Sequence, residues 1–205
     1  MADTESCAGW LTAYEPFLGR SANQSQEVVR LAVADAYFPQ SWGHSFWPAI
    51  LPELLERTEE VLARRPRVWL AVGEAREEGV PQLEVVARNH WDLLGDAVAA
   101  SGGSEKGVFE PGGPSEVRAH WPANQLARHL SEEGFSVELS ADAGSHCCNG
   151  VLWWASRMAA VEGNPRPWMG FLHLPRQVDR RTEQAALIVS AVRWLNSQFA
   201  GDSNG

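Results

Sequence analysis

The chain has 205 residues, 44% of them hydrophobic and 21% charged, which is ordinary globular composition and excludes wholesale disorder. At roughly 100–200 residues per domain, that length favours one domain. Seventeen Lys and Arg against 26 Asp and Glu give a net charge of −9, and with no Lys/Arg block this is a poor match for a nucleic-acid backbone.

Residues 1–9 are acidic and polar, without the basic and apolar regions of a signal peptide, and together with 200–205 they read as flexible ends. Residues 10–13 (WLTA) are strand-like and run into a turn at Glu15-Pro16. Val29, Ala32, Val33 and Ala36 predict a helix over 26–37, and Ile50, Leu51, Leu54, Leu55 and Val61 predict another over 46–64. Trp42 and Trp47 flank the start of that second helix and are candidates for a contact between subunits of a homo-oligomer. After Pro66, residues 68–72 (VWLAV) form a continuous apolar run, as expected of a strand covered on both faces of a parallel sheet. Residues 82–87 (QLEVVA) predict the next strand.

Residues 101–115 are rich in Gly and Pro and read as a surface loop or hairpin excursion. A helix is expected over 122–134, opened by Pro122 and closed by Gly134, with His129 facing solvent. A strand at 136–140, a helix at 148–160, a strand at 169–174 stopped by Pro175, and a closing helix at 182–199 complete the pattern. Strands alternating with helices argue for an α/β fold with both sheet faces covered. No run approaches the ~18 apolar residues of a membrane span. Three cysteines, Cys7, Cys147 and Cys148, make no disulfide framework and point to a reducing, cytoplasmic setting.

Three residues attract chemical attention. Cys148 opens a helix after the turn Ala143-Gly144-Ser145-His146, where helix N–H groups and the macrodipole favour a thiolate. The segment alone fits a buried, inert cysteine somewhat better. His173 sits near the C-terminal end of an apolar strand, where α/β sheets open onto their ligand crevices; a satisfied core histidine is the other reading. Glu84 lies inside an apolar run, either facing solvent or buried with a partner such as a histidine. Together they offer a nucleophile, a base and an orienting carboxylate. The adjacent pair Cys147-Cys148 lacks the spacing of a zinc site, and no P-loop, GxGxxG or G-x-S-x-G motif occurs.

Four segments, in order, carry a resemblance to a known family. Thr12-Ala13-Tyr14-Glu15-Pro16-Phe17-Leu18-Gly19 is similar to TGFxPFGG. Val72-Gly73-Glu74-Ala75 followed by Glu84-Val85-Val86-Ala87-Arg88-Asn89 is similar to GQAGGR and then ERVAIN. Residues 140–149 follow S-x-x-A-G-x-x-x-C-N, and Phe171-Leu172-His173-Leu174-Pro175 follows FIHVP. These are the signatures of the pyroglutamyl peptidase I family of cysteine peptidases, and the resemblance extends from about Trp10 to the last helix.

The resemblance implies a single-domain three-layer α/β/α sandwich around a mostly parallel, twisted sheet, one domain over 1–205. It implies removal of an N-terminal pyroglutamate through a thioester on Cys148, with His173 as general base and Glu84 as third member of the triad. Tyr14 and Phe17 would enclose the lactam ring, Glu74 would stand at the lactam-recognising position, and Cys147 would line the apolar pocket. Neither a metal nor an organic cofactor is implied. The partners would be a peptide or small amide substrate and further copies of the chain, with no nucleic acid and no membrane.

The departures fall on the rim. Glu74 replaces a glutamine, Arg76, Glu77 and Glu78 replace two glycines and an arginine, Tyr14 replaces a phenylalanine, and His146 stands where the family has another aromatic. An ionised Glu74 accepts hydrogen bonds only, so it is expected to repel a lactam carbonyl and weaken cleavage of pyroglutamyl amides unless burial or Arg76 neutralises it. A same-fold amidase with another acyl substrate and a non-catalytic homologue are the competing expectations.

Overall fold

The computed structural model describes residues 8–17, 19–75, 78–92, 106–159 and 167–199. Among these residues, a central sheet of six strands has the order β2-β1-β3-β10-β4-β9. Its members are β1 (Gly9–Tyr14), β2 (Trp42–Trp47), β3 (Val68–Glu74), β4 (Gln82–Glu84), β9 (Glu138–Ser140) and β10 (Trp168–Leu174). Strands β2, β1, β3 and β10 are mutually parallel, whereas β4 runs antiparallel to β10 and β9 follows β4.

Helices cover both faces. Alternation along each strand sorts the apolar side chains into two cores. Leu70, Val72, Leu172 and Leu174 pack against α1 (Gln24–Val33), α3 (Ala123–Glu132) and α5 (Arg181–Ser197). Trp69, Ala71, Met169 and Phe171 pack on the other face against α2 (Leu51–Ala63) and α4 (Cys147–Met158). The α/β/α sandwich expected from the alternation of elements is therefore observed. Among the described residues, no helix is long and apolar enough to cross a membrane.

Several local expectations are corrected. The first helix starts earlier, because Asn23 caps it by accepting from the Ser25 amide at 2.9 Å, and stops at Val33. The following Asp35 accepts from the Tyr37 amide at 2.8 Å, a side-chain turn that competes with helix. Residues 46–64 are not one helix. Phe46 and Trp47 end strand β2, and the helix begins at Leu51 with Pro52 in its first turn, the position that tolerates a missing N–H.

The run 82–87 divides at Val85. Strand β4 stays in the main sheet, while β5 (Val86–Arg88) pairs with β8 (Glu116–Arg118). The Val85 N–H donates to Ser140 and its carbonyl accepts from Ala119, so the backbone is satisfied through the switch. The hairpin excursion is real in its described part, with β6 (Trp91–Asp92) antiparallel to β7 (Lys106–Gly107). At the N-terminus, Ala8 donates to Ser41 and Gly9 opens β1, so residues 8 and 9 are ordered against the expectation; residues 1–7 and 200–205 lie outside the described residues.

Two surface assignments also fail. Trp42 and Trp47 are 5% and 4% exposed inside the chain's own cores, the first donating to Asn196 and the second edge-on to Trp69. They cannot form a subunit contact. His129 does not face solvent freely either, because its ring stacks on Trp194 at 5.8 Å.

Candidate active site

Strand alternation decides which side chains meet. His173 is two residues beyond Phe171 and so points to the α4 face of the sheet. Glu84 pairs in register with Phe171, while its neighbour Leu83 packs in the other core. Glu84 therefore shares the α4 face. Because β4 runs against β10, Glu84 sits two residues below His173 and reaches up to it.

The His173 Nδ1 lies 2.7 Å from a Glu84 carboxylate oxygen, and the Glu84 side chain is fully buried. The Cys148 thiol also acts on the His173 ring, through its charge and a hydrogen bond. Burial alone would lower the pKa of His173. The Cys148 charge and hydrogen bond, followed by the hydrogen bond and charge of Glu84, override it and push the pKa up to about 10.

Cys148 stands in the first turn of α4, partly exposed. Gly144, at φ +79°, makes the backbone turn that leads into it. Gly73 leaves room for the sulfur: a Cβ on that glycine would lie 2.9 Å from the Cys148 Sγ and 2.9 Å from the Phe171 ring. Cys147 points into the core at 2% exposure, and burial pushes its thiol up to about 12. Tyr14 donates its hydroxyl to the Cys147 carbonyl at 3.2 Å, which explains the hydroxyl at a position the family fills with phenylalanine. Burial, then the charges of Cys148 and Cys147, raise the Tyr14 pKa.

Asn149 fastens the start of α4 to the segment following Glu84. Its Oδ1 accepts from the Arg88 amide, and its Nδ2 donates to the carbonyls of Arg88 and His90, each at 2.8 Å. Gly73 and Asn149 lay within quoted motifs but had no assigned role; their service to the site follows from contacts across 75 and 61 residues of chain respectively, the first being 148 minus 73.

On the rim, Phe17 stacks on His146, the N-cap residue of α4, at 6.1 Å. Glu74 is not the bare carboxylate the sequence suggested. Its Oε1 takes a 2.6 Å hydrogen bond from Arg20 and its Oε2 a 2.6 Å bond from the Gln24 amide at the start of α1. Arg20 supplies the neutralising charge expected of Arg76, which lies with Glu77 outside the described residues. Nothing local marks Arg20 in the sequence, since its partner is 54 residues away. Among the described residues no group of three or more His, Cys, Asp or Glu side chains is placed to hold a metal ion.

An α/β sandwich with a thiol, an imidazole and a buried carboxylate on one sheet face has the parts of a cysteine-nucleophile acyl-transfer site. The chain belongs to the pyroglutamyl peptidase family, whose model matches residues 10–191. It is 31% identical over 172 residues to the pyrrolidone-carboxylate peptidase of Chromobacterium violaceum, covering 80% of this chain and 76% of that one. It is 25% identical over 187 residues to the same-named peptidase of Halalkalibacterium halodurans, covering 86% and 88%. The pyrrolidone carboxyl peptidase from Thermococcus litoralis superposes with a TM-score of 0.76 over 96% of both chains at 20% identity, a likeness of fold.

Proposed function

We propose that this chain is a cysteine peptidase that removes N-terminal pyroglutamate, with Cys148 as nucleophile, His173 as general base and acid, and Glu84 as the carboxylate that orients His173. The observation carrying the reading is the His173 ring at 2.7 Å from the buried Glu84 carboxylate, on the sheet face covered by the helix whose first turn bears Cys148.

The chemistry follows from that order of groups. The Cys148 proton passes to His173 Nε2, leaving a thiolate beside an imidazolium. Glu84 holds Nδ1–H, fixes the tautomer and stabilises the positive ring. The thiolate attacks the acyl carbonyl, and N–H groups at the start of α4 take the oxyanion. His173 then gives its proton to the departing amine, the C–N bond breaks and a thioester remains. A water, deprotonated by His173, attacks the thioester and frees the acid and the thiol.

The remaining roles are Tyr14, Phe17 and Cys147 as walls of the acyl site, with Glu74 acting through Arg20. The enzyme is taken to work without a metal, in the cytoplasm, on peptide or small amide substrates, and as a homo-oligomer whose contact excludes Trp42 and Trp47. Light scattering that finds only a monomer at high concentration rejects the last point. Release of aminomethylcoumarin from pyroglutamyl-aminomethylcoumarin, run against other aminoacyl amides, tests the activity. Turnover of the pyroglutamyl amide above the rest supports the reading; none with it, beside turnover of another amide, overturns it.

A further inference from the structure

We propose that Arg20 is the specificity-determining residue of the acyl site: its guanidinium donates to the ring carbonyl of an uncharged lactam acyl group, with Glu74 as its charge partner. The proposal rests on the peptidase reading above and deepens it.

Glu74 is unsuited to this task. Both of its oxygens are already engaged, by Arg20 and by the Gln24 amide. It follows Val72 on β3 and so points to the α1 face, away from Cys148. An ionised carboxylate has only acceptors to offer, and a carbonyl needs a donor.

Arg20 has donors to spare. One Nη2 bond goes to Glu74, while its Nε is buried with no acceptor among the described residues. The side chain as a whole is 28% exposed, so a ligand oxygen can reach the guanidinium and add an acceptor to a group short of them. The position also fits. The guanidinium lies 5.6 Å over the Phe17 ring, and that ring stacks on His146, which immediately precedes the Cys147-Cys148 turn. Guanidinium, phenyl and imidazole thus form one connected rim leading to the nucleophile.

Charge selects the class of acyl group. Arg20 and Glu74 together are neutral, so the pair favours a neutral acceptor such as a lactam carbonyl. A free carboxylate on the acyl group would meet the Glu74 charge beside the guanidinium. The rim departures are therefore connected: Glu74 holds Arg20, Arg20 covers Phe17, and Phe17 packs on His146.

The test compares pyroglutamyl-aminomethylcoumarin with cyclopentanecarbonyl-aminomethylcoumarin, a ring of the same size without carbonyl or N–H. Arg20→Met should lower kcat/KM for the first by about ten- to a hundredfold and for the second by less than about threefold. Alkylation of Cys148 by iodoacetamide reports whether the site is still folded and should keep its rate. An unchanged ratio between the two substrates, whether both rates stay or both fall together, overturns the proposal. If the unaltered protein turns over neither amide, the peptidase reading fails separately, and Arg20 is read by protection. Arg20→Met should then need at least about ten times more 2-pyrrolidinone to shield Cys148 from iodoacetamide; equal protection overturns the proposal.

Discussion

Glu84 and His173 meet at 2.7 Å across 89 residues of chain, on neighbouring strands that run in opposite directions. The arrangement ties the charge of His173 to both of its neighbours. Cys148 contributes the larger upward push and Glu84 the smaller, against the burial that would lower it.

A titration of the His173 ring by NMR should therefore show a midpoint near 10 in the unaltered protein. Cys148→Ser should lower it more than Glu84→Gln does. The sign for stability follows from linkage. A raised histidine pKa stabilises the fold fully below the unfolded value of 6.5, and that contribution is lost as pH rises through about 10. The cost of Glu84→Gln in denaturant melts should shrink across that window. A cost that grows with pH from 6.5 to 10 would contradict the pairing.

Adjacent cysteines give opposite expectations. Cys148 is partly exposed beside His173, whereas Cys147 is buried with its thiol pushed up to about 12. Of this pair, iodoacetamide near neutral pH should label Cys148 and spare Cys147, as read by peptide mass mapping. Cys148→Ser should lower turnover by at least about a thousandfold. Cys147→Ser should keep much of the activity and lose about 1–3 kcal/mol of stability by burying a hydroxyl. Labelling chiefly at Cys147 would reverse the assignment.

The sequence made the sandwich legible wherever a strand was a continuous apolar run, as in 68–72 and 169–174, because burial on both faces leaves that mark. Strand β2 was missed because its alternating Trp, His and Phe run directly into helical spacing. The break at Val85 was invisible because leaving one sheet for another is decided by partners such as Ser140 and Ala119. The site was legible in the same uneven way. Cys148, His173 and Glu84 sit in segments with their own signatures. The Gly73 clearance, the Asn149 clamp and the Arg20–Glu74 pair exist only across long separations and leave no local pattern.

Gly73 should tolerate no side chain. The Cβ of Gly73→Ala would press on both the Cys148 sulfur and the Phe171 ring at 2.9 Å. Displacing the sulfur moves it from His173, so kcat should fall at least about tenfold. Overpacking should cost about 1–3 kcal/mol. Full activity in Gly73→Ala would show that the sulfur works from another position.

Asn149 should matter as a clamp. Asn149→Ala strands the Arg88 N–H and the carbonyls of Arg88 and His90, all bonded at 2.8 Å. Losing three such bonds from a buried side chain should cost more than about 2 kcal/mol in denaturant melts. Turnover should fall with it, since the segment after Glu84 loses its tie to the helix bearing Cys148. Asn149→Asp keeps the bond from the Arg88 N–H but turns an acceptor on two carbonyls, so it should rescue little. Wild-type stability in Asn149→Ala would mean that β5 and β8 hold this segment unaided.

Glu74→Gln separates the sequence reading from the structural one. Viewed as a bare carboxylate facing a lactam, Glu74 should be improved by conversion to an amide. In its observed setting the same change removes the anion from a 2.6 Å pair with Arg20 and weakens the bond from the Gln24 amide at the N-terminus of α1. A negative charge at a helix N-terminus is favourable, and the side chain is only 6% exposed. The substitution should cost about 1–3 kcal/mol of stability, and it should free Arg20 from its anchor over Phe17. Cleavage of pyroglutamyl amides at pH 7–8 should therefore fall, with KM rising more than kcat drops, because the guanidinium is misplaced while Cys148, His173 and Glu84 stay as they were. Thermal melts and steady-state kinetics on one preparation decide the matter: a more active and equally stable Glu74→Gln enzyme would mean that the Arg20 pair is not what holds the acyl site.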